Sequence, residues 1–130
     1  MPDDAAAPLR ALFEAFRMRD AAAISGCFTD DVVWHFPGHR GVLAGDHAGR
    51  DAVLRFLTTV MTETAGTFSL ELEDVLAGEE YAAAAFTGRG QRKGKTLANP
   101  TFLKVRMRDG RIAELWEFVW DLEHVEDFWG

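Results

Sequence analysis

Cysteine is almost missing from this 130-residue chain: Cys27 stands alone, so no disulfide can form within it. That usage suits a reducing compartment, and the chain reads as cytoplasmic. With no zinc-type partner nearby in sequence, Cys27 reads as buried filler rather than a reactive thiol. Positive charge is also scarce: 14 Lys and Arg face 21 Asp and Glu, a formal charge of −7. Phosphate binding needs clustered cations, so nucleic acid and anionic membranes are excluded as partners. No stretch approaches the roughly 18 apolar residues that a membrane-crossing helix requires. The opening MPDDAAAPLR lacks the basic-then-apolar layout of a secretion signal. There are no repeats, no low-complexity tract and no linker, which predicts a single domain over residues 1–130.

What is present is a core. The hydrophobic share of 48% excludes a disordered chain. Leu9, Leu12, Phe13 and Phe16 repeat at helical spacing behind Pro8, which suits a first turn. Asp20 can cap a short second helix over Ala21–Phe28, with Ala23, Ile24 and Cys27 inward. Val32 to Phe36 is β-rich and stops at Pro37-Gly38. Residues 38–50 hold four glycines without periodicity and read as a long loop, a feature often functional. A third helix follows, with Asp51 in its first turn and Val53, Leu54, Leu57, Val60 and Met61 on its apolar side. Thr67–Glu73 alternates, with Phe68, Leu70 and Leu72 on one face. Tyr81–Gln91 is a strand of small residues, and Arg89, Arg92, Lys93 and Lys95 read as a solvated hairpin tip. In the tail LEHVEDFWG, Phe128 and Trp129 are available to pin the end back on the body.

The chain is organised around Thr96–Asp121, two long β-patterned runs joined at Asp109-Gly110, a strong two-residue hairpin signal. Runs this long in a short chain must curve, and the concave face is a candidate pocket. Helices followed by strands indicate an α+β fold with the helices on one face of a mostly antiparallel sheet.

The segments FTDDVVWHFPG, LAGDHAGRDAVLRFL and RMRDGRIAELWEFVWD resemble the nuclear transport factor 2-like superfamily, its SnoaL-like group in particular, from Leu9 to Asp121. The resemblance implies a cone: a strongly bent sheet wrapped round helices with a pocket inside. The fold hosts isomerases, cyclases, epoxide hydrolases, dehydratases and non-catalytic binders. In its steroid isomerases a base aspartate stands just before a proline, where this chain has Phe36 before Pro37. The positions of their oxyanion donors correspond to the region of Leu12 and to Phe102-Leu103, which cannot donate. The polyketide cyclases of the group carry a carboxylate directly after the Trp of the last strand. Glu117 follows Trp116 in that place.

Facing decides whether Glu117 matters. A strict two-residue turn pairs Met107 with Ile112, Val105 with Glu114, Leu103 with Trp116 and Asn99 with Trp120, which hides Glu114 and exposes Glu117. One β-bulge reverses this for every residue beyond it. The resemblance favours Leu115, Glu117, Val119 and Asp121 facing the pocket. Glu117 and Asp121 would then be candidate proton-transfer groups, too far apart to share a proton, with a salt bridge to Lys104 the bland alternative for Glu117. His35 is a second candidate base, against a satisfied sheet histidine pointing away. Asn99 could donate to an oxyanion, against a turn or edge role. Trp34, Phe36, Trp116 and Trp120 are candidate ligand contacts, favouring an apolar, ring-shaped ligand, against a plain core role. The spacing of His35, His39, His47 and Asp46 matches no metal motif.

The reading of the residues is therefore a cofactor-independent enzyme moving a proton next to a carbonyl. The alternatives are a binder of an apolar metabolite and a structural module. A homodimer through the outer sheet face is expected.

Overall fold

The computed structural model describes residues 6–130. Helix α1 (Ala6–Arg17) buries Leu9, Leu12 and Phe13 on one stripe. Helix α2 (Ala21–Gly26) starts at Asp20, whose side chain accepts a hydrogen bond from the Ala23 N–H. It ends earlier than the sequence suggested, because Phe28 already opens strand β1 (Phe28–Phe36). The glycine-rich stretch is not all loop. Residues Gly45–Ala48 form a short edge strand, β2, antiparallel to β1. Helix α3 (Arg50–Glu63) buries Val53, Phe56, Leu57 and Val60. Phe56 belongs to its inward side, whereas Leu54 and Met61 are only half-buried.

Strands β3 (Ser69–Ala77), β4 (Tyr81–Arg92), β5 (Lys95–Arg108) and β6 (Arg111–Val119) then run as a meander. The six strands form one curved, unclosed sheet in the order β2-β1-β6-β5-β4-β3, with β1 and β6 parallel. The small residues of β4 let a neighbouring ring lie close: a Cβ on Gly88 would stand 3.4 Å from the ring of Phe68, just ahead of the adjacent β3. A bulge between Leu72 and Asp74 shifts the β3 alternation, so Val75 rather than Asp74 is buried beyond it.

The tail is a helix, α4 (Leu122–Trp129), which buries Val125, Phe128 and Trp129. Arg92 holds it. The sequence placed Arg92 in a solvated tip, yet its side chain is 3% exposed and pairs with Glu63 at 2.8 Å. It also donates to the carbonyls of Phe128 and Gly130, each at 2.9 Å. Removing one partner of such a pair strands the others without a donor. Arg92→Met is expected to cost about 3 kcal/mol in a urea melt. Proteolysis under native conditions should then begin in α4. An unchanged midpoint would show that α4 holds without Arg92.

Candidate functional site

The β5–β6 hairpin turns at Asp109 (φ 53°) and Gly110 (φ 76°), the left-handed pair that a tight primed turn needs. Pairing starts in the strict register, Met107 opposite Ile112, and then slips, so that Arg106 faces Glu114. Ala113 is the extra residue, and both it and Ile112 are buried. Beyond this bulge the parity is inverted. Leu103 pairs with Glu117 and Lys104 with Trp116. Leu115 and Glu117 therefore point to the concave side.

There they meet a hollow lined by α1, α3 and the sheet, including Leu12, Phe13, Trp34, Phe36, Phe56 and Trp129. Its volume, as room for the centre of a water molecule, is about 60 Å³. That is space for several waters or one small ring rather than a fused polycycle. Among the described residues, Glu117 and Asn99 are the polar side chains lining it besides the indoles of Trp34 and Trp129. The Trp34 indole N–H donates to Glu117 Oε1 at 2.9 Å. Burial among apolar side chains raises the Glu117 carboxyl to about 7, against a small lowering by that hydrogen bond. Asn99 is 6% exposed, and its Oδ1 is buried with no hydrogen-bond partner. By strand rise Asn99 lies roughly 13 Å along the sheet from the level of Glu117. The two polar groups thus mark separate ends of the hollow.

Four of the eight candidate residues lie elsewhere. His35 alternates with Trp34 and Phe36, so the pleat sends it to the outer face. There its Nδ1 meets Asp46 at 2.7 Å and its Nε2 meets Glu114 at 2.6 Å, and the ring stacks on Trp116. Burial would lower its pKa, but the two carboxylates together outweigh this and raise it. It is the satisfied sheet histidine, hydrogen-bonded between Asp46 of β2 and Glu114 of β6. Trp116 is outward for the same reason, with Lys104 5.1 Å above its ring, so Lys104 is not a partner of Glu117. Trp120 follows the end of β6 and is 87% exposed. Asp121 caps α4 by accepting from the His124 N–H at 3.1 Å. Among the described residues no group of three His, Cys, Asp or Glu is placed to hold a metal ion. His35 cannot start one, since its two carboxylates occupy opposite ring nitrogens.

The sequence missed Leu43, Phe56 and Trp129 as lining. Leu43 is 1% exposed and closes the hollow from the glycine loop. That loop is tied down by Glu126, which accepts from the His39 and Arg40 N–H groups, and by the Val42 N–H donating to the Trp129 carbonyl. Gly41 sits at φ 100°, where a Cβ would stand 3.0 Å from the Trp129 backbone, so only glycine suits this close approach.

Trp34 supplies the sole hydrogen bond to Glu117 among the described residues. Trp34→Phe should therefore push the carboxyl pKa further up from about 7. Carbon-detected NMR titration of the glutamate carboxyls would register this; a fall would mean that burial is not the ruling influence.

Residues 9–115 match the SnoaL-like domain family, and the chain belongs to it. An uncharacterised protein of Mycobacterium tuberculosis is 37% identical over 131 residues, covering 99% of each chain. The structure of Bal32a, from a soil-derived mobile gene cassette, superposes with a TM-score of 0.93 at 29% identity, covering 97% of this chain and 96% of that one. TerC, co-crystallised with polyporic acid, gives a TM-score of 0.83 at 21% identity, over 95% and 96% of the chains, and shows likeness of fold alone.

Proposed function

We propose that the hollow receives a small apolar carbonyl compound and that Glu117 moves a proton on the carbon next to the carbonyl. The observation that carries this reading is a half-buried carboxyl facing the hollow, held by one indole N–H and with its pKa raised to about 7 by the apolar side chains around it. A group so tuned is half ionised near neutrality, and can take a proton and return it. The substrate carbon would lose a proton to Glu117, the electron pair would move onto the carbonyl oxygen, and reprotonation elsewhere would complete an isomerisation. Attack of the same enolate on a second carbonyl of the ligand, with the proton held by Glu117 passing to the new alkoxide, would complete an aldol-type cyclisation. Asn99, at the other end of the hollow, is too far from Glu117 to hold the enolate oxygen and is available only to a polar group on the remote end of the ligand. The polyporic acid of TerC is in keeping with a ring-bearing ligand. No cofactor is called for by this chemistry.

A second reading is a non-catalytic binder of an apolar metabolite, favoured by the sparse polar lining of the hollow. Tryptophan fluorescence separates the two. Trp34 and Trp129 line the hollow and should respond to small aromatic ketones, while Trp116 and Trp120 give the background. Conversion of the ketone that is lost in Glu117→Gln supports the enzyme. Quenching that survives in Glu117→Gln, with the ketone recovered unchanged from the native protein, supports the binder.

We also propose a homodimer through the outer sheet face, where Phe102 and Phe118 face each other across strands at 41% and 56% exposure. A cytoplasmic setting agrees with the free thiol of Cys27.

A further inference from the structure

Beside the hollow lies a second depression, between α1 and β3. It is lined by Phe13, Phe16, Phe68 and Leu70, all four of which also line the hollow. The two spaces are thus neighbours across the edge-to-face pair Phe16–Phe68, whose ring centres are 6.0 Å apart and which are both only half-buried. The outer rim of this vestibule carries Arg10, Arg17 and Arg19 against one acid, Glu14. Glu14 is already taken by Arg17 at 2.6 Å. Arg19 donates to the Gly66 carbonyl and has no carboxylate partner, and Arg10 makes no ion pair among the described residues. Two cations without a counter-charge among the described residues, where this depression adjoins the hollow's wall, are notable in a chain of net charge −7.

From this geometry we infer that the ligand is an apolar carboxylic acid. Its ring enters the hollow by parting the Phe16–Phe68 contact, and its carboxylate remains in the vestibule beside Arg10 and Arg19. The inference rests on the reading of the hollow as a ligand site, and adds to it the class of ligand and its orientation. The reverse orientation would bring a carboxylate into an apolar space that already holds an acidic group, which desolvation opposes. The volume of about 60 Å³ accepts the ring alone, so a short chain must span the aromatic pair.

The test compares 4-phenylbutanoate with its neutral twin 4-phenylbutanamide, by calorimetric titration at pH 8 and low salt. The acid is expected to bind about three- to tenfold tighter, the range open to exposed charge pairs. The advantage should shrink as salt is added and fall within twofold in Arg10→Gln/Arg19→Gln. Net charge would favour the amide, so a preference for the acid can only be local. Arg10→Gln alone, on an exposed helical position, provides a variant that keeps the fold and should lose part of the preference. Equal affinity for acid and amide, or a preference unchanged in both variants, overturns the inference and leaves the hollow reading intact. If neither compound binds, both fall together.

Discussion

Glu117→Gln should raise the unfolding free energy by on the order of 3 kcal/mol more at pH 9 than at pH 4. The sign follows from the direction of the shift. The folded carboxyl titrates at about 7, above its ordinary value of 4.5. Below pH 4 both folded and unfolded chains hold the proton, and burial has no ionic cost. Between about 4.5 and 7 the unfolded chain has released its proton while the folded chain keeps it, so stability declines with rising pH at up to about 1.4 kcal/mol per unit. Above 7 the full cost remains. Glutamine does not ionise and keeps an acceptor for the Trp34 indole, so the variant escapes this decline. Its amide nitrogen lacks a partner in an apolar space, an offset of about 1–3 kcal/mol. That offset is common to both pH values and drops out of the difference. His35, with its raised pKa, also contributes stability that is lost as pH rises, but it is present in both proteins. Urea melts of the two proteins at pH 4 and pH 9 give the answer; parallel pH profiles would show that Glu117 is hydrated.

The second large effect concerns turnover. On a convertible ketone, Glu117→Gln should lower kcat/KM by about 10²- to 10⁴-fold, the usual loss on removing a positioned base. In the native protein the rate should climb as pH rises through about 7 and then level, because the base acts only when ionised. Phe102→Ala, on the outer face, should leave both the rate and its pH profile unchanged. A rate equal in Glu117→Gln and the native protein would remove Glu117 from the chemistry and turn attention to binding alone.

The α+β class, the hairpin at Asp109-Gly110 and the inward stripe of α1 were legible because each rests on a local rule. Turn chemistry and apolar spacing act within a few residues. The candidate site was less so. Glu117 and Glu114 could not be told apart by pattern, since the choice hangs on one bulged alanine that no residue preference announces. Edge strand β2 escaped notice because Gly45-Asp46-His47-Ala48 has no apolar alternation; it exists through pairing with β1 and the His35–Asp46 contact. Arg92 looked like a surface cation because its partners, Glu63 and the carbonyls of α4, are distant in sequence. Trp116 and Trp120 suggested a ring platform by residue type alone, and the pleat and the strand's end sent them outward.

Ala113 gives this strand an unusual evolutionary hinge. Were that extra residue taken into the regular ladder, the two sides of everything downstream to Val119 would exchange, turning Glu117 toward solvent and bringing Glu114 and Trp116 toward the interior. A lineage could thus move the chamber's acid to another level of the strand and set an indole beside it by closing one bulge.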